Sequence, residues 1–249
     1  MQLKLFESEA AIAAAVSGIL IRQVQTKPAS VLGFATGSSP VKTYDAMVQA
    51  YQNGLVSFRD VVTFNLDEYC GLSKTDETSY YAFMQSHLFG RADFQQKNIH
   101  FLDGNAVHAE AACAAYRCEI AAAGGIDIQL LGIGTNGHIG FNEPSDSFSD
   151  GPFQVHLAQS TKNANGKYFK DGAMPDTALT MGIGDILRAR KLLLIATGES
   201  KAKAIRAMVK GEVTPLCPAS VLQTHSDVTV FLDAQSASLL AEEDLWQRN

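Results

Sequence analysis

Short uninterrupted apolar runs recur along the chain, and between them lie longer stretches in which apolar residues return at a helical spacing. The run 126–133 is of the kind found inside a parallel sheet, 30–35 and 191–197 also read as buried strands, and 61–66, 98–102, 154–157 and 227–232 read as further strands. Helical spacing covers 7–25, 41–51, a segment opening at 77, 106–123, the end of 177–187, 198–209, part of 215–224, and 236–246. Buried strands alternate with helices, without an internal repeat or a long Pro/Gly/Ser linker. This predicts one α/β domain over residues 1–249, an open, mostly parallel sheet with helices on both faces. Residues from about 158 to 175 depart from the pattern. They are polar and weakly helical, a composition that suits a mobile lid over a site and equally an idle surface loop.

In such Rossmann-like sheets ligands bind beyond the carboxyl ends of the strands, so the loops that follow strands are where chemistry is expected. The run 126–133 leads into a loop where Gly132, Gly134, Gly137 and Gly140 permit tight turns, with Asn136, His138, Asn142 and Glu143 set among them. A histidine five residues from a glutamate either pairs with it as an oriented acid/base or stands alone beside a capping glutamate. Strand 30–35 runs into Thr36, Gly37, Ser38, Ser39 and Pro40 and then a helix. That is either an anion site of free N–H groups or a hydroxyl cap with Pro40 in the first turn. Strand 61–66 delivers Asp67, Glu68 and Tyr69, adjacent acids that serve either as catalysts or as caps and surface charges. Tyr80, Tyr81, Phe83, Leu88 and Phe89 read as core, and Lys201, at a helix start, reads as a solvated charge or an anion's counter-ion.

Composition narrows the function classes. The hydrophobic fraction of 46% and charged fraction of 18% are those of an ordinary globular protein. The apolar runs fall short of the ~20 residues that a membrane span needs, so no membrane role is expected. The first residues lack a basic region followed by a long apolar core, which predicts a cytoplasmic protein. A formal charge of -6 argues against nucleic acid as a partner but leaves room for a small phosphorylated molecule. Cys70, Cys113, Cys118 and Cys217 show no CxxC pairing and read as reduced thiols rather than zinc ligands or disulfides.

The motifs ATGSSP at 35–40, FNLDEY at 64–69, LGIGTNGHIGFNEP at 131–144, LTMGIGDIL at 179–187 and TGESKAKAI at 197–205 together resemble the glucosamine-6-phosphate deaminases. These belong to a group that also contains the 6-phosphogluconolactonases, and the likeness runs from about Leu3 to Leu232. The resemblance implies conversion of glucosamine 6-phosphate and water to fructose 6-phosphate and ammonia, with no metal or organic cofactor. It also implies the roles of the site residues. His138, oriented by Asn136 and Glu143, opens the sugar ring. Asp67 moves a proton from C2 to C1, and water then displaces ammonia at C2. Thr36, Gly37, Ser38 and Ser39 hold the phosphate with Lys201, and Lys167 supplies a second cation from the lid.

The chain departs from the commonest family pattern in three places. Lysine stands at 167 where many members carry arginine, which keeps the charge but loses the two-pronged donor geometry. Asparagine stands at 136 where many have aspartate, removing one negative charge beside His138. Phe153, Gln154, Val155 and His156 lack the basic residues that allosteric members use for N-acetylglucosamine 6-phosphate. A monomer or small homo-oligomer without that activation is therefore expected, rather than an allosteric hexamer. Two other functions compete with the deaminase. A lactonase would keep the phosphate pocket and histidine but needs no base at C2, and a sugar-phosphate sensor would carry a DNA-binding segment that is not found before Leu3.

Overall fold

The computed structural model describes residues 1–169 and 174–245. In chain order it contains β1 (Gln2–Phe6), α1 (Glu9–Thr26), β2 (Val31–Phe34), α2 (Val41–Gln52), β3 (Val62–Asn65), β4 (Asp67–Tyr69), α3 (Tyr80–His87), β5 (Ile99–His100) and α4 (Ala109–Ala122). There follow β6 (Ile128–Leu131), β7 (Phe153–His156), α5 (Gln159–Asn165), β8 (Thr177–Thr180), α6 (Ile183–Leu187), β9 (Lys191–Ala196), α7 (Ala202–Lys210) and β10 (Val228–Asp233). Seven strands form one sheet in the order β1-β10-β9-β6-β2-β3-β5, with every neighbouring pair parallel.

Successive side chains of a strand point to opposite faces, so the apolar runs serve two cores at once. Leu193 and Ile195 of β9 join Leu32, Phe34, Ile128 and Leu130 against Ile12, Val16 and Leu20 of α1, Tyr44 and Met47 of α2 and Met84 of α3. Leu192 and Leu194 join Val31, Leu131 and Val230 on the other face, against Tyr116 of α4, Ile183 and Ile186 of α6 and Ile205 and Met208 of α7. The parallel α/β sheet with helices on both faces is the one that the pattern predicts.

Four features differ from the sequence reading. β1 pairs only with β10, and an edge strand with Lys4 in its middle lacks the unbroken apolar run of a central strand. β4, β8 and β7 form a second, antiparallel sheet of three strands in that order, so Asp67 and Glu68 begin a new strand instead of trailing from β3. Thr177–Thr180 is therefore β8, and the helix of that motif is confined to α6. The helix expected over 236–246 is absent: turns lead to one 3-10 segment at Glu242–Leu245, and Trp246 lies outside the described residues. The Ser236 N–H donates to Asp233 Oδ1 at 2.7 Å, a local bond in place of a helical one, and its hydroxyl donates to the Ala196 carbonyl at the end of β9 at 2.8 Å. Among the described residues no helix is long and apolar enough to cross a membrane.

Candidate active site

A cavity of about 290 Å³ opens where the loops after β2 and β6 meet the small sheet. Its lining brings together Thr36, Gly37, Ser38, Ser39, Asp67, Asn136, His138 and Lys201. Glu143 reaches it through Asn136 and His138. The side chain of Lys167 lies outside those that the structure describes, as do residues 170–173 of the expected lid.

One end of the cavity is made of donors. β2 ends at Phe34, Gly37 turns with φ of 89°, and α2 starts at Val41 behind Pro40, which has helical backbone angles. Among the described residues no side chain bonds to the first N–H groups of α2, so the hydroxyls of Thr36, Ser38 and Ser39 do not cap it. Lys201 ends the short turn Glu199–Lys201 ahead of α7. No acid among the described residues pairs with its ammonium, and burial pushes its pKa down. An ammonium losing hydration without a partner is a site that an anion would relieve.

The opposite side carries an imidazole and carboxyl groups. Asn136 Nδ2 donates to Glu143 Oε2 at 2.7 Å, and a carboxylate only accepts, so the amide oxygen of Asn136 must face the other way. There it accepts from the His138 backbone N–H at 3.2 Å and from His138 Nδ1 at 2.7 Å. The amide oxygen cannot donate, so Nδ1 carries the proton and Nε2 is left for exchange with a ligand. Glu143 lies 3.4 Å from Nδ1 and also accepts from Thr161 Oγ1. Burial acts to raise its pKa, but His138, Thr161 and Asn136 outweigh it and hold the carboxyl down at about 2. The expected histidine–glutamate pairing is thus built around an asparagine bridge. Gly134 is required by that geometry, because a Cβ there would lie 2.2 Å from His138 Cε1.

The two adjacent acids of β4 have separate roles. Glu68 turns away to accept from the backbone N–H groups of Tyr80 (2.9 Å), Tyr81 (2.8 Å) and Tyr69 (2.9 Å), and so fixes the start of α3. Asp67 is 6% exposed and lines the cavity without a hydrogen bond from any described residue. Burial, with the charge of Glu68 beside it, pushes its carboxyl up to about 8. Gly140 backs it, since a Cβ there would stand 3.6 Å from Asp67 Oδ2 and 3.1 Å from Thr180 Oγ1.

The sequence reading missed the wall that closes this side. Tyr80, expected in the core, lines the cavity and stacks on Phe141 with centroids 5.8 Å apart. Thr161, Asn165 and Tyr168 line it from α5 and the turn that follows. Local spacing gave no signal for them, because a polar stretch reads the same whether it faces a cavity or bulk water. Among the described residues no three His, Cys, Asp or Glu side chains cluster as metal ligands.

Comparison with known proteins places this geometry. Residues 6–231 match the family model described as glucosamine-6-phosphate isomerases/6-phosphogluconolactonase. The chain belongs to this family. It is 48% identical over 248 residues to a glucosamine-6-phosphate deaminase of Shewanella loihica, covering 99% of this chain and 92% of that one. It is 45% identical over 228 residues to the deaminase of Thermoanaerobacter sp., covering 91% and 90%. A solved monomeric glucosamine-6-phosphate deaminase superposes with a TM-score of 0.93 at 40% identity, covering 96% of this chain and 100% of that one. The 6-phosphogluconolactonase of Trypanosoma brucei shares the fold, at a TM-score of 0.74 and 18% identity, over 96% and 98% of the two chains.

Proposed function

We propose that this chain is a glucosamine-6-phosphate deaminase, converting glucosamine 6-phosphate and water to fructose 6-phosphate and ammonia. The observation that carries the reading is Asp67, a buried carboxylate pushed up to about 8, in one cavity with a histidine of defined tautomer and a lysine that no acid among the described residues pairs. A lactonase needs no base at C2, whereas an aldose-to-ketose shift does. The high identity to deaminases and the low identity to lactonases point the same way.

In this reading Thr36, Gly37, Ser38, Ser39 and Lys201 hold the phosphate, with Lys167 adding charge from a lid over about 158–175. His138, through Nε2, carries a proton between the anomeric hydroxyl and the ring oxygen and opens the pyranose. Asn136 and ionised Glu143 keep the imidazole in place. Asp67 takes the C2 proton and returns it at C1, so that an enolamine becomes a C2 iminium. Water adds at C2 and ammonia leaves, giving the ketose. One small carboxylate serves both transfers because C2 and C1 are adjacent on the same face of the substrate.

The enzyme acts in the cytoplasm as a monomer or small oligomer and needs no N-acetylglucosamine 6-phosphate. Support comes from the monomeric deaminase it resembles and the lack of basic residues in 153–156. The deciding experiment is a coupled assay for ammonia and fructose 6-phosphate over a panel of amino-sugar phosphates, with 6-phosphogluconolactone alongside. Stoichiometric release of both products is expected, with hyperbolic kinetics. Lactonase turnover exceeding deamination overturns the reading, and sigmoidal kinetics relieved by the effector overturn the non-allosteric assignment.

A further inference from the structure

Thr161 and Asn165 stand four residues apart on α5 and line the cavity together. Thr161 is 3% exposed, and its hydroxyl donates to Glu143 Oε1. The other oxygen, Oε2, accepts from Asn136 at 2.7 Å and lies 3.4 Å from His138 Nδ1. Each carboxylate oxygen thus has a fixed donor, one from the loop that carries His138 and one from α5. Asn165 reaches elsewhere, donating from Nδ2 to Tyr69 Oη at 3.1 Å.

We propose that Thr161 is a positioning residue for the acid/base machinery. It fixes the plane of the Glu143 carboxylate and favours its ionised form. The Asn136 amide, and through it the His138 tautomer, is thereby held in one orientation. Without this donor a nearly buried carboxylate oxygen is left unpaired and the group is free to turn about its last bond. Position 161 belongs to a stretch that composition marks only as polar, so its role follows from where α5 docks. The kinetic readout rests on the deaminase reading; the structural readout does not.

The test compares Thr161→Val, Thr161→Ser and Asn165→Ala with the wild type. Thr161→Val is expected to lower kcat about tenfold, with a smaller change in KM. The Glu143 carboxyl of this variant should protonate at higher pH, because a carboxylate that loses a donor is protonated more readily. Thr161→Ser restores both. Asn165→Ala loosens the same helix without touching Glu143 and leaves that titration in place. Independently of turnover, the carbon-13 carboxyl resonance of Glu143, assigned with Glu143→Gln, should begin to titrate at higher pH in Thr161→Val. An unmoved resonance in Thr161→Val, or an equal shift in Asn165→Ala, overturns the proposal. A wild type that releases no ammonia refutes the deaminase reading, and the carboxyl titration still decides the role of Thr161.

Discussion

The seven-stranded sheet reaches the cavity through loops, whereas the three-stranded sheet reaches it with a residue of the strand itself. The loops after β2, β6 and β9 carry hydroxyls, N–H groups, His138 and Lys201, all at least partly open to solvent. Asp67 sits in β4, paired with Thr180 of β8, and is buried. The difference is one of electrostatics. Lys201 is pushed down and Asp67 up for the same reason, burial without a partner of opposite charge among the described residues. A ligand with an anion at one end and a carbon acid at the other would relieve the first strain and exploit the second. Held on a paired strand, a costly carboxylate cannot swing out to water, and so the small sheet preserves the basicity that the reaction would use.

Asp67→Asn should break this contrast most severely, lowering ammonia release about 10³-fold, roughly 4 kcal/mol. A residual rate within tenfold of wild type would remove Asp67 from proton transfer. Gly134→Ala attacks the loop side by forcing a Cβ into the His138 ring. It should cost about 10²-fold in kcat, with the protein still folded by circular dichroism.

The pH dependence sharpens the comparison. Folded Asp67 has its pKa raised from 3.8 to about 8, so between these values the native state binds the proton more strongly than the unfolded chain. Its contribution to stability is present below the unfolded value and is lost as pH rises toward about 8. Asp67→Asn should therefore melt close to wild type near the unfolded pKa and above it at pH 8, by of order 3 kcal/mol, as read by thermal unfolding across pH. In the wild type, kcat/KM should rise with pH toward about 8, since only the carboxylate form accepts a proton. A flat profile contradicts the assignment.

Smaller effects test the donor end and the cap. Lys201→Ala should raise KM about 30-fold, roughly 2 kcal/mol, with kcat changed less. An unchanged KM displaces this lysine from the phosphate. Glu68→Gln weakens two bonds at the start of α3 and one to Tyr69 of β4, and should cost about 1 kcal/mol in unfolding free energy while the proton-transfer chemistry persists. Loss of activity matching that of Asp67→Asn would erase the distinction between the two acids.

Much of this architecture is legible along the chain. The central strands are apolar toward both faces, and each loop that follows one carries its polar groups in a short, recognisable string, as at 36–40 and 136–143. The small sheet was hidden because β4 has three residues, two of them acidic, and its partner β8, like β7 beyond it, lies far along the chain. The wall of Tyr80, Thr161 and Asn165 was hidden for a related reason, since neither aromatic bulk nor polarity tells which way a side chain faces.

By itself the sequence determined the parallel sheet, the glycine-rich turns and the set of residue types able to bind an anion and move protons. These depend on local periodicity and on what each side chain can chemically do. Only the tertiary structure decided that Asp67 faces the cavity while Glu68 caps α3, that Asn136 stands between His138 and Glu143, and that α5 supplies Thr161. Burial and hydrogen-bond partnership are properties of the packed chain, and they turn two neighbouring carboxylates with the same intrinsic chemistry into one that faces the cavity and one that anchors a helix.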